Sequence, residues 1–446
     1  PCWLKLSFAA QRSPGRQPRQ GFRGCVPMSM CQASPASGDS RMRLKALDGL
    51  RWVFSIQVVC FHFFREGDTA IALFSRWGQT WTQFFFVISG FVLALSEMSF
   101  APGPPLSLGA YLSKRLRLLY PAYILALLFT LAMKGPPTSF LHWIALLVHI
   151  LLLQAWFPVC TMPNDWSCSP LLFVGVAWFV SALMLYWVLL RPLAKAFRER
   201  SMEFSQVTLV VCWLCSFVVW WLEHDDRLAT FAGCSDEICR ATCHMWLGYS
   251  PLGYFHLFVA GVAAARMRLP DDLEPESGAD EETEMSSDGE HYVSQRACLL
   301  CPGDVRTREH APPKASRAVP ALELAPAVPF VWRFGCCLGF LGYVGLMCLA
   351  PKSIDSHQRL LHNGGLLPLH ILVLFGAAIG VDPIASHLLS SGPLTMLGRS
   401  SYIQYLMQFV FRESFEQFFG WGPAAQVSCL PALVAFSYGC QRLWLQ

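Results

Sequence analysis

The 446-residue chain is 54% hydrophobic and only 14% charged, with 34 Lys or Arg against 30 Asp or Glu, whereas a soluble domain carries about a quarter charged residues. With a mean hydropathy of +0.40, no single water-soluble core accounts for the composition, and no nucleic-acid partner is expected. Apolar segments long enough to span a bilayer recur, separated by short polar stretches, which is the pattern of an all-α, polytopic transmembrane bundle.

Residues 1–43 read as a flexible basic cytosolic tail. Residues 1–45 hold eight Lys or Arg and one acid, which places the amino terminus in the cytosol. The first forty residues do not resemble a cleavable signal sequence, because their apolar run is short and Arg12, Arg16, Arg19 and Arg23 follow it. The sequence begins at Pro1, so a targeting peptide ahead of it is left open.

The first apolar stretch, 44–64, carries Arg51 and His62. Eleven residues separate them by roughly 16 Å along a helix and return His62 to within ~20° of Arg51. An ionisable group at such depth costs on the order of 2.5 to 3.5 kcal/mol, so two on one face point to function. Taken singly, Arg51 snorkelling to the headgroups and His62 packing as a satisfied residue are the plainer readings.

Further spans are expected at 80–97, 115–133, 171–190, 206–223, 249–266, 328–349, 361–380, 396–411 and 425–443, about ten in all, with both termini cytosolic. Residues 141–157 are also apolar, but a crossing there would put Arg191, Lys195, Arg198 and Arg200 outside, so this segment is expected to be re-entrant or interfacial. The loops at 158–170 and 224–248 then face the exterior and contain Cys160, Cys168, Cys234, Cys239 and Cys243. Disulfides suit that side. Zinc on Cys234, Cys239, Cys243 and His244 is the competing reading, although the spacing matches no common finger.

Residues 267–325 differ from the rest. Between Asp271 and Glu290 ten of twenty residues are acidic and none is Lys or Arg, a composition expected to give a disordered cytosolic loop. Ser286 and Ser287 lie among the acids, and Cys298 and Cys301 form an incidental CxxC. The loop divides the membrane domain into 44–266, with six spans, and 326–446, with four.

Five motifs resemble the acyltransferase 3 family of integral-membrane O-acyltransferases. They are Leu47-Asp48-Gly49-Leu50-Arg51 with Phe61-His62-Phe63, Phe84 to Leu93 around Ser89-Gly90, Tyr111 to Tyr123 with Arg115 and Arg117, Ala177 to Tyr186, and Leu397 to Leu406. The resemblance runs from about residue 45 to 440. It implies ten spans and transfer of an acyl group from a cytosolic donor, usually acyl-CoA acting as cosubstrate, to a hydroxyl on a small molecule, glycan or lipid, with no bound cofactor and no metal. Three positions depart from the family pattern, where Leu118 replaces a second arginine, Leu183 a glutamate and Gln408 a histidine.

Attack by a hydroxyl on a thioester needs a base, a site for the anionic donor, and donors for the developing oxyanion. His62 suits the base and Arg51 the donor phosphate or thioester carbonyl. Arg115 and Arg117 suit the nucleotide or pantetheine phosphates, with positive-inside anchoring as the plain alternative. Ser89-Gly90 suits either close helix approach or a break that admits the acyl chain. Ser89 lacks a base at helical spacing and is not read as a nucleophile. A transporter or flippase, or a catalytically silent relative, is the alternative function. No inverted repeat is visible for a transporter.

Overall fold

The computed structural model describes residues 39–99, 107–158, 160, 168–224, 227–269, 329–349, 357 and 360–445. Most of the expected tail (1–43) and nearly all of the expected acidic loop (267–325), including Ser286, Ser287, Cys298 and Cys301, lie outside the described residues.

The described residues form helices and no strand, apart from a single bridge between Cys160 and Cys168. In chain order the helices are α1 (Asp39–Phe64), α2 (Ala70–Arg76), α3 (Trp81–Ser99), α4 (Leu108–Lys134), α5 (Phe140–Ile150), α6 (Ser169–Leu172), α7 (Trp178–Arg198), α8 (Met202–Glu223), α9 (Arg227–Phe231), α10 (Glu237–Tyr249), α11 (Pro251–Arg268), α12 (Phe330–Arg333), α13 (Gly335–Leu349), α14 (Leu367–Ile379), α15 (Gly392–Phe419) and α16 (Pro423–Leu445). In lipid every backbone polar group must be paired within the segment, so long apolar runs become helices. Ser107, Ser139, Ser201, Asp236 and Ser250 each accept a first-turn N–H and set where a helix begins.

Five helical stretches are long and apolar enough to cross a bilayer on their own: Lys45–Phe64, Ala70–Ser99, Leu108–Lys134, Trp178–Arg198 and Met202–Glu223. The helix α11 is shielded instead, with Ala260 and Val262 to Ala265 fully buried between α3, α7 and α8. The segment expected at 171–190 begins its long helix later, at Trp178, because the chain bends through Phe173 to Ala177. The segment expected at 361–380 is interrupted at its start. Asn363 and Gly364 leave helical geometry, and Gly364 takes a φ of 100°, which a residue without Cβ tolerates.

Contacts fix the directions of the helices. Asp48 meets Gly398 and His62 meets Phe409, so α1 and α15 run parallel. Tyr402 Oη donates to the Leu119 carbonyl at 3.3 Å, and Lys134 pairs with Glu413 at 2.9 Å, so α4 joins them. The helices α3, α7 and α11 run the opposite way. Phe86 lies 4.6 Å from Phe179 and 5.0 Å from Tyr254, while Glu97 lies 3.8 Å from Arg191. Phe54 on α1 stacks on Trp81 and Gly78 meets Gln57, which makes α1 and α3 antiparallel. The chain therefore leaves α4 and starts α7 at the same end of the bundle. Between them, α5 has 11 residues and a length of ~16 Å, about half a hydrocarbon core.

The helices α3 and α11 cross closely through two glycines. A Cβ on Gly90 would overlap the Phe258 carbonyl, and one on Gly261 would overlap the Val87 carbonyl. Filling such a site costs about 1–3 kcal/mol. Gly261→Val is expected to lower the unfolding temperature in detergent, whereas Gly439→Val, where a Cβ meets open space, is expected to leave it unchanged.

Candidate active site

Along the parallel seam of α1 and α15, polar residues from both helices come together at intervals. At one end Arg51 Nη1 donates to Asp48 Oδ1 at 3.3 Å, and Arg399 lies within electrostatic reach of the same carboxylate. Gly398 lets the α15 backbone approach Asp48, since a Cβ there would overlap the Asp48 carbonyl. Midway, Ser55 Oγ donates to the Ser401 carbonyl at 3.2 Å.

At the other end the ring of His62 packs 4.6 Å from Phe409 and 4.9 Å from Phe61. Arg412 Nη1 donates to the His62 carbonyl at 2.8 Å. His62 is half-buried, and among the described residues its ring has no hydrogen-bond partner. Other histidines of the helices are engaged: His149 with the Ala145 carbonyl, His256 with Ser216 and the Asn363 carbonyl, His362 with Tyr254, and His370 with Tyr343. A histidine whose ring nitrogens make no hydrogen bond is a base without a competing partner.

The remaining sequence candidates lie elsewhere. Arg115 and Arg191 flank the Tyr111 ring at 5.2 and 5.0 Å, next to Glu97. Arg117 is exposed on another face of α4, since residues two apart on a helix do not face each other. The helix α3 continues unbroken through Ser89 and Gly90, and Gly90 packs against α11 while His62 packs against α15. Arg51 and His62 are held by separate neighbours at opposite ends of the seam. Of the departures from the family pattern, Leu118 is exposed and Leu183 is buried. Gln408 is buried, with Nε2 donating to the Tyr405 carbonyl and Oε1 without a partner.

A second polar cluster surrounds the interrupted start of α14. Glu223 accepts from Asn363 at 2.7 Å and pairs with His244 at 3.2 Å. Disulfides join Cys160 to Cys168 and Cys234 to Cys239. The second bridge takes two sulfurs of the alternative zinc set out of ligation, and Cys243 stands free with its Sγ 3.6 Å from that of Cys234. Burial pushes the Cys243 thiol up.

Arg65, Arg412 and Phe409 were not singled out by the sequence, and Arg399 entered only as a member of the Leu397 to Leu406 motif. Arg65 and Arg412 directly follow the expected spans 44–64 and 396–411, both of which are expected to run outward. Arginine on the outer side runs against the positive-inside preference, and that was the available signal.

A family model described as an acyltransferase domain, acyltransferase 3, matches residues 44–442, and the chain belongs to that family. No curated protein and no solved structure matches.

The Asp48–Arg51 contact contributes to the seam. Asp48→Ala is expected to cost about 1 kcal/mol of stability, since only about a third of each partner's side chain is exposed, and to lower the unfolding temperature in detergent. Asp68→Ala, whose carboxylate is 88% exposed and 3.9 Å from Arg76, is expected to shift it within about 0.5 kcal/mol.

Proposed function

We propose that this acyltransferase moves an acyl group from cytosolic acyl-CoA to a hydroxyl acceptor, with His62 as the general base. The observation that carries the reading is the unengaged ring of the half-buried His62, whereas His149, His256, His362 and His370 are hydrogen-bonded. The neutral imidazole takes the proton of the acceptor hydroxyl as its oxygen attacks the thioester carbonyl. The carbon–sulfur bond breaks, and the proton passes to the departing CoA thiolate. Transfer is direct, with no acyl-enzyme.

Arg51 lies about three turns nearer the cytosolic end of α1 and holds a donor phosphate. Arg115 and Arg117 meet the CoA phosphates at the cytosolic mouth. Ser89, half-buried on α3, lines the acyl chain's side of that helix, while Gly90 serves the close approach of α11. The acceptor is a small molecule, glycan or lipid bearing a hydroxyl.

The proposed topology has ten crossings with both termini in the cytosol. The parallel pairing of α1 with α15, and of α3 with α7, supports that parity, because an additional crossing by α5 would reverse every later helix. A cysteine placed in 191–200 is expected to react with a maleimide only after the membrane is permeabilised. Labelling from outside intact cells would contradict the topology.

Release of free CoA by the purified protein in detergent, with a panel of hydroxyl acceptors, tests the chemistry. His62→Ala is expected to lower the rate about 10² to 10⁴-fold, the usual contribution of a positioned base. Arg51→Ala is expected to raise KM for acyl-CoA. Retained activity in both variants would overturn the mechanism.

A further inference from the structure

The His62 end of the seam holds two guanidiniums, one from each helix. Arg65 Cζ lies 5.1 Å over the Phe61 ring, which itself meets His62 edge-on. Arg412 Cζ lies 5.3 Å over the Trp421 ring. Both arginines are within electrostatic reach of His62 and of each other.

Their counter-charge is small. Among the described residues, Glu66 pairs with Arg412, at 3.7 Å, and it is 72% exposed, so solvent screens the pair. Arg65 has no ion-pair partner within 4.0 Å among the described residues; its contact is with the Phe61 ring. Burial and the charge of Arg412 both hold Arg65 below the ordinary guanidinium value, against the weaker pull of Glu66 and Tyr249. Two partly buried like charges with one screened partner favour an added anion.

Positive charge at the outer end of a span is commonly explained by snorkelling to lipid headgroups. Arg412 does not do this, since its Nη1 is tied inward to the His62 carbonyl at 2.8 Å. Guanidiniums recognise carboxylate and phosphate oxygens through paired N–H donors.

Resting on the acyl-transfer reading, we propose that Arg65 and Arg412 bind an anionic group of the acceptor, a carboxylate or phosphate, and so set its hydroxyl beside His62. The acceptor class is therefore an anionic hydroxyl compound, either water-soluble or a lipid with an anionic headgroup. The exposed rim at Glu66 leaves the pair reachable from the outer end of α1.

Inorganic phosphate is the probe, titrated calorimetrically into the full-length protein in a maltoside detergent. Saturable binding is expected, weakened about tenfold or more by Arg65→Gln and by Arg412→Gln, the loss expected when a charged hydrogen-bond donor is removed. Arg412→Lys keeps the charge and serves if the glutamine variant fails to fold. Arg442→Gln, from a residue that bonds Tyr438 at 2.8 Å, is expected to leave binding unchanged. Added phosphatidylglycerol that competes with phosphate identifies a lipid acceptor. Competition by glucuronate but not by phosphatidylglycerol identifies a soluble one. No binding by the wild type, or equal binding in the Arg65 and Arg412 variants, overturns the proposal. His62→Ala is expected to keep phosphate affinity, so a failure of the base assignment is read from CoA release and a failure of the anion site from this titration.

Discussion

The parallel seam between α1 and α15 is the constraint on which the rest depends. Two helices some 350 residues apart in the chain meet at Asp48 and Gly398, at Ser55 and Ser401, and at His62 with Phe409 and Arg412. One turn of slip along the seam would move contacts by about 5.4 Å. It would separate Ser55 from its carbonyl and take Arg412 from the His62 backbone. The glycine at 398 allows the close approach, and the hydrogen bonds set the register.

Around that seam the other helices supply a stiff frame. The helices α3, α7 and α11 pack through Phe86, Phe179, Tyr186, Tyr254 and Phe258, with rings between 4.6 and 5.7 Å apart. Such aromatic pairs bury large apolar areas and hold fixed orientations. Polar groups inside the frame are mostly answered locally, as at Glu223, Asn363 and His244. Among the histidines, His62 differs from His149, His256, His362 and His370 in that its ring makes no hydrogen bond among the described residues.

Much of this was legible in the sequence. Apolar length placed the helices, and the eleven-residue spacing put Arg51 and His62 on one face. Four of the five cysteines in the loops expected to face outward are bridged, as Cys160–Cys168 and Cys234–Cys239, and Cys243 is free. What the sequence could not give was pairing across long separations. The partner of Ser55 lies 346 residues away, and no local period encodes it. The interruption at Asn363–Gly364 was hidden because apolar runs look alike whether or not they unwind. Arg65 and Arg412 were visible only as violations of a charge preference. The relation of Gly90 to Gly261 likewise needs the fold, since small residues alone do not say which helix they meet.

Acyl transfer at His62 is tested most directly by a cryo-EM structure of the protein with an acyl-CoA thioether, which mimics the donor but has no carbonyl to attack. The account predicts the methylene that replaces the thioester carbonyl within about 4 Å of the imidazole, close to van der Waals contact, with the nucleotide at the cytosolic ends of α1 and α4. An analogue bound on another face of the bundle, with the His62 ring turned to lipid, would contradict it.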